Sequence, residues 1–387
     1  MPYDAELSFE FLTPTKVIFG PGSILEARMA LRSLGGVRSL IVTDEGILQA
    51  GLLDDVRESL GDLCVGVFSD IPQDTGVHIV NEAAKYARSL KVDSLVSLGG
   101  GSVIDTAKGL AVLLKEGGNL EDYQGMQVLD RPQTPHVSIP TTAGTGSEVT
   151  FAAVVKDHDR NQKLLLFDHH LAPNVAILDP HMVSGLPPRI TAFTGMDALT
   201  HAVEAIHVLE RNPIADALAL HAIRLIAANL PCSVNNGDDL PARGQMQIAA
   251  AMAGIAFTNA MVGLVHAMAH SLGARFGVPH GLANAILLPH VMRYNMEACT
   301  DRYALVAEAM RVVKPEMSVD KAAEGAVNAI EDLLREIGLT ERLRDVDVPE
   351  EGLKDCAELS LSDGSIVYNP KPVFDAEEVL KVYRAAW

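Results

Sequence analysis

The sequence predicts two domains of different class, an α/β domain over residues 1–188 and an all-helical domain over residues 189–387. Three observations lead there. Short runs of β-branched and aliphatic residues alternate with helical patterns through the first half, as in a parallel sheet covered by helices. After about residue 189 the strand signal stops, and long Ala-, Leu- and Met-rich stretches follow. Pro187-Pro188 stands at the change, and consecutive prolines resist helix and sheet alike.

Strands are expected at Lys16–Phe19, Ser39–Thr43, Cys64–Phe68, Ser94–Leu98, His136–Ile139 and Val175–Leu178. They lack polar alternation, which suits strands buried on both faces. Helical spacing fills Ile24–Leu34 and Val77–Leu90. In the second half, apolar residues recur every three and four positions through Ala215–Leu230, Gln245–Leu272, Leu282–Met292 and Lys321–Ile337. A cleft between the two domains is the natural place for a ligand.

With 387 residues, 48% of them apolar, the chain can bury cores of ordinary size. Lys plus Arg total 31 against 50 Asp plus Glu, a formal net charge of -19. That charge repels nucleic-acid phosphates and anionic membrane surfaces, so neither is an expected partner. No uninterrupted apolar run approaches the roughly 20 residues of a membrane helix. Cys64, Cys232, Cys299 and Cys356 form no CxxC pair, and no N-terminal stretch resembles a signal peptide. A reducing, cytoplasmic setting is expected.

The segment SLVSLGGGSVIDTAK, Ser94–Lys108, runs from a buried strand through Gly99, Gly100, Gly101 and Ser102 into a helix. Three glycines let backbone N–H groups approach a phosphate closely, and the helix N-terminus adds partial positive charge. This makes the first domain a Rossmann-like candidate for dinucleotide binding. Asp44 ends the strand SLIVT, where a carboxylate can accept from both adenosine ribose hydroxyls and repel a 2′-phosphate, favouring NAD over NADP. Its order is unusual, because the acidic residue normally follows the glycines; as a bare residue type, Asp44 also suits a helix N-cap. A second loop, IPTTAGTGSEVT, offers the hydroxyls of Thr141, Thr142 and Thr145 to a ribose or diphosphate, and Lys163, in the apolar run QKLLLF, reads either as a lysine that reaches a phosphate or ribose or as a solvated one.

The second domain opens with TGMDALTHAVEA, in which Asp197 and His201 are four residues apart and therefore stack on one helical face. Further on, GLVHAMAHSLGARFGVPH carries His266 and His270, again four apart, and His280 after a Gly-Val-Pro turn. Each His alone reads as a buried core residue. Several imidazoles and a carboxylate among small apolar residues are costly to bury without a shared partner, and a cation removes that cost. One carboxylate with three imidazoles suits Fe(II) or Zn(II). His290 follows Pro289 well after the others and reads as structural; spacing does not choose between His266 and His270.

These segments resemble the iron-containing (group III, metal-dependent) alcohol dehydrogenases, whose GGGSxxDxAK, PTTAGTGSE, GxDALTHxxE and GxxHAMAHxLGxxxxxPHG motifs stand here in order at Gly99–Lys108, Pro140–Glu148, Gly195–Glu204 and Gly263–Gly281. The likeness runs from about Phe11 to Trp387 and is nearest to lactaldehyde (1,2-propanediol) and 1,3-propanediol oxidoreductases. It implies a dehydroquinate synthase-like fold, Asp197, His201, His266 and His280 as metal ligands, and His270 beside the substrate. It further implies Asp44 on the adenosine ribose, Gly100, Gly101 and Ser102 at the pyrophosphate, Thr141, Thr142 and Thr145 along the cofactor, and Lys163 near the nicotinamide ribose. Pro72-Gln73-Asp74-Thr75 departs from the family's PNPT, which puts adenine contacts from that loop in question.

The expected activity is NAD-dependent interconversion of small primary alcohols or diols with their aldehydes, the metal acting as Lewis acid and His270 relaying the proton. A homo-oligomer is expected from the same resemblance. Two alternatives stand beside it: a metal-dependent lyase or cyclase that uses NAD transiently, as dehydroquinate synthase does, and a non-catalytic NAD-sensing protein.

Overall fold

A computed structural model describes residues 7–157 and 162–387. Packing divides the chain into two compact units, neither contiguous in sequence. One holds Pro14–Thr194 with Cys232–Ala251; the other holds residues 7–13, Gly195–Pro231 and Met252–Trp387.

The first unit is built on a six-stranded sheet of β1 (Lys16–Phe19), β2 (Ser39–Val42), β3 (Cys64–Phe68), β4 (Ser94–Gly99), β6 (His136–Pro140) and β9 (Val175–Leu178). Every pairing is parallel, in the order β1-β9-β6-β4-β2-β3. The inner strands are buried along their length while β1 and β3 at the edges are not. Neighbouring residues of β2 enter opposite cores, Leu40 and Val42 on one face and Ile41 on the other, as period-two geometry requires. Chain order reverses at β2: the chain steps outward to β3, then returns to β4 on the other side. Open parallel sheets bind ligands at such a switch point, beyond the carboxyl ends of the strands.

The six expected strands are present. A second sheet was not anticipated: β5 (Gly125–Met126), β8 (Gln162–Phe167) and β7 (Ala152–Asp157) in that order, with β7 and β8 antiparallel. In β7 alternate residues are buried, the half-exposed pattern that separates it from the main sheet.

A boundary at residue 188 follows secondary structure, since the last strand ends at Leu178 and a helix opens at Pro188, where a proline costs no intrahelical bond. Packing draws a different line, because Arg243 in the returning segment is buried and donates to Thr191 Oγ1 at 2.6 Å, Leu186 O at 3.0 Å and Gly237 O at 3.0 Å. A helical sequence pattern does not reveal which core it joins.

The second unit is helical. The single stretch expected over Gln245–Leu272 is two helices, Leu240–Ala260 and Leu264–Phe276, bent by 104°. Met261 takes a left-handed φ of 72°, and a Cβ on Gly263 would meet Glu204 Oε1 at 3.2 Å and Val208 Cγ1 at 3.3 Å. The break is what starts a new helix immediately before His266. By length and composition Pro213–Asn235 is long and apolar enough to cross a membrane, although Asp216, His221 and Arg224 interrupt its apolar run, and the bent pair would count as a second span if taken together. Its Ala215, Ala219, Ala222, Ile226 and Leu230 form a buried stripe, and Asp216 pairs with Arg211, as in a core helix.

Candidate functional site

Asp197 and His201 lie on helix Pro188–His207, one turn apart. His266 lies in the first turn of helix Leu264–Phe276, and His280 begins helix His280–Ala309. Asp197 Oδ1 is 3.9 Å from His201 Nε2, 4.0 Å from His266 Nε2 and 3.5 Å from His280 Nε2. One donor atom from each of the four residues lies within 4.8 Å of every other. Asp197, His201 and His266 are buried, while the His280 side chain is 35% exposed, so solvent reaches the group on that side. Phe257 stacks on His201 with ring centroids 4.2 Å apart.

Asn284, one turn beyond His280 and fully buried, points its Nδ2 into this group, donating to Asp197 Oδ1 at 2.8 Å and lying 3.2 and 3.3 Å from Nε2 of His280 and His266. The donor atoms of Asp197, His266 and His280 therefore aim at one small volume. Such a set fits a borderline divalent cation.

Behind His266 stands Glu204, also buried. Its Oε2 accepts from His266 Nδ1 at 2.6 Å and Gly263 N at 2.9 Å, and its Oε1 from Val265 N at 2.8 Å. Burial opposes its ionisation, but the nearby His207 imidazole, whose Nε2 is 3.8 Å from Oε1, and the hydrogen bond from His266 outweigh it and hold the carboxyl well below its usual range. His207 Nδ1 in turn meets the Tyr303 hydroxyl at 2.9 Å.

His270 is outside the four-residue group. Its Nδ1 bonds Asp363 Oδ2 at 2.7 Å, and its ring stacks on His280 at 5.4 Å. Burial works against the Asp363 carboxylate, yet the His270 charge and hydrogen bond hold it below the usual range. The structure thus brings His266, and not His270, into the four-residue group. His290 is likewise outside the group, its imidazole pushed down to about 4 by burial. Among the described residues one further trio, Asp168, His169 and His170, brings donors equally close, but the Asp168 oxygens already accept from the Leu129 and His170 backbone amides.

In the sheet unit the glycine turn lies at the end of β4, next to the switch point. Gly100 caps helix Gly101–Glu116. A Cβ on Gly101 would approach Thr145 Cγ2 to 2.9 Å, and one on Gly100 would approach Thr142 Cγ2 to 3.3 Å, so the two small-residue segments pack together only through glycine. Thr141 N donates to Gly99 O at 3.1 Å, and Asp74 N, from the atypical loop, donates to Ser102 Oγ at 3.3 Å. Asp44 follows β2 and caps the short helix Glu45–Gln49, accepting from Ile47 N at 3.0 Å. Lys163 is on β8, and its charge is felt at Asp105 of the glycine-turn helix.

A family model described as "Iron-containing alcohol dehydrogenase" matches residues 14–180, and one described as "Fe-containing alcohol dehydrogenase family, C-terminal" matches residues 191–387. The chain belongs to the iron-containing alcohol dehydrogenase family. This oxidoreductase is 40% identical over 386 residues to the 1,3-propanediol dehydrogenase of Citrobacter freundii, covering 98% of this chain and 99% of the relative. It is 36% identical over 375 residues to the NAD-dependent methanol dehydrogenase of Bacillus methanolicus, covering 96% and 98%. A crystal structure of 1,3-propanediol oxidoreductase superposes with a TM-score of 0.96 at 39% identity, covering 98% of this chain and all of the other. The alcohol dehydrogenase therefore has the dehydroquinate synthase-like fold expected, with a Rossmann-like parallel sheet and a helical C-terminal part. Nothing in these comparisons supports the lyase or the NAD-sensing alternative.

In three places of this dehydrogenase, beside the metal donors, beside His270 and in the sheet unit, stand residues that had no role in the sequence reading. Glu204 and Asn284 touch the donor set directly; Asp363 arrives from 93 residues away. The third lies in the sheet unit, where fully buried Lys108 donates to Ser147 Oγ and Thr150 Oγ1 at 3.0 Å each and to Ala152 O at 2.6 Å. Asp105 accepts from Ser147 Oγ and Val154 N, so this pair bolts the glycine-turn helix to the Thr141–Thr150 loop and β7. Burial pushes Lys108 down to about 8 and Glu148 up to about 7.

His136 of β6 is buried beside Ser97, 2.7 Å from its Oγ, and burial together with the Lys108 charge pushes it down from 6.5 to about 3. Its folded value lies below its unfolded value, so the stability it contributes is complete above pH 6.5 and is lost as pH falls towards 3. Denaturant unfolding followed between those pH values should show a decline that His136→Gln flattens; an equal slope in both proteins would contradict it.

Proposed function

We propose that this dehydrogenase interconverts small primary alcohols or diols with their aldehydes, using NAD in preference to NADP, as a cytoplasmic homo-oligomer. Convergence of Asp197, His201, His266 and His280 donors within 4.8 Å is the observation that carries the reading. These four residues would hold the divalent metal, Fe(II) first and Zn(II) as the alternative. A cation bound there supplies Lewis acidity to the substrate oxygen. His270, oriented through Nδ1 by Asp363, is placed beside His280 to take up or return the alcohol proton.

In the sheet unit, Gly99, Gly100, Gly101 and Ser102 offer N–H groups and a hydroxyl at a helix N-terminus to the NAD pyrophosphate. Thr141, Thr142 and Thr145 line the adjoining loop, Lys163 serves the nicotinamide ribose, and Asp44, at the end of β2, accepts from the adenosine ribose. Its negative charge disfavours the extra phosphate of NADP. The names of the relatives, a 1,3-propanediol dehydrogenase and an NAD-dependent methanol dehydrogenase, support the same substrate class. Four free cysteines suit a reducing compartment.

The test is a panel of small alcohols, diols and aldehydes with NAD(H) and NADP(H), on protein reconstituted separately with Fe(II) and Zn(II). Absorbance at 340 nm should change with NAD(H) and at least one small substrate. No turnover across the panel with either metal would refute the reading.

A further inference from the structure

We infer that Glu204 is a positioning residue of the metal centre: it fixes the tautomer and ring orientation of His266 so that Nε2 faces Asp197, His201 and His280. The inference rests on the metal-centre reading above. Asp197, His201 and Glu204 fall at i, i+4 and i+7 of one helix, so a single face carries two donors and the group that aims a third. An ionised carboxylate only accepts hydrogen bonds. With Glu204 Oε2 2.6 Å from His266 Nδ1, the proton is on Nδ1 and the lone pair on Nε2, the atom 4.0 Å from Asp197 Oδ1. Glu204 is itself immobilised by Gly263 N and Val265 N at the bend, and no side chain at residue 263 intervenes. A buried carboxylate bonded to a ligand imidazole also raises the ligand's basicity, and loss of such a partner lowers metal affinity about 10–100-fold.

A purely structural role, capping the helix that begins at Leu264, predicts a different outcome, so both are measured. Co(II) is titrated into metal-stripped wild type, Glu204→Gln, Glu204→Leu and His201→Ala, following its visible absorption, and the thermal midpoint of each metal-stripped protein is recorded. Support is a Co(II) dissociation constant raised at least about tenfold in Glu204→Gln, with an altered absorption band and a thermal midpoint close to wild type, and a larger rise in Glu204→Leu. Co(II) affinity within threefold of wild type in Glu204→Gln overturns the inference. So does a Glu204→Gln protein that no longer folds, since the carboxylate is then structural. If wild type binds Co(II) no better than His201→Ala, the metal-centre reading itself falls, an outcome separate from any difference among the Glu204 variants.

Discussion

His201→Ala should leave the purified protein with background metal content and no measurable turnover. The imidazole is buried, stacked between Phe257 and His266, and is one of only four donors in the group. Alanine leaves a three-donor set with a void beside it. Lewis-acid stabilisation of a reacting oxygen is worth several kcal/mol, and about 1.4 kcal/mol is a factor of ten, so the rate should fall about 10³-fold or more. Elemental analysis and the 340 nm assay read the two losses independently. NAD binding, followed by fluorescence, should persist, because the glycine turn belongs to the other compact unit. A fully active, metal-free variant would remove the basis of the proposed chemistry.

Lys108→Met should be the most destabilising single change in the sheet unit. It deletes three hydrogen bonds and leaves the partly buried Asp105 carboxylate without its neighbouring charge, 3.9 Å away. Removing one partner of a buried ion pair costs about 3–5 kcal/mol. At about 2–4 °C per kcal/mol for a unit of this size, the thermal midpoint should drop by roughly 10 °C. The pH dependence carries a second signature. The folded Lys108 titrates near 8 against 10.5 unfolded, so wild-type stability should rise between those values as the unfolded chain binds the extra proton, and the Met variant should lack that rise. A midpoint within 2 °C of wild type would show that the buried ammonium contributes little.

Much of this was legible because it is local. Asp197 and His201 are four residues apart, and the glycine turn is a strand, three glycines and a helix in direct succession, so period and spacing report them. The six strands of the main sheet are likewise local apolar runs. What escaped the sequence is relational. Glu204 stands inside a legible motif, but its role depends on a bend 59 residues later that the helical pattern of Gln245–Leu272 hides, because Met261 and Val262 are as apolar as their neighbours. Asp363 becomes meaningful only when the chain returns it to His270. The β7–β8 pair was missed because alternate residues of β7 face away from a core. Asp44 is a helix cap in the structure, accepting from Ile47 N; its ribose role belongs to the proposed function.

The chain passes between the two compact units four times, at Thr13, Thr194, Pro231 and Ala251. Neither unit can therefore be excised as one continuous polypeptide. A gene fragment ending before residue 232 lacks the Cys232–Ala251 segment of the sheet unit, and one beginning after residue 194 carries that segment with nothing of its own core to join. Dissection of this enzyme into separately expressed halves should therefore yield insoluble products wherever the cut is placed.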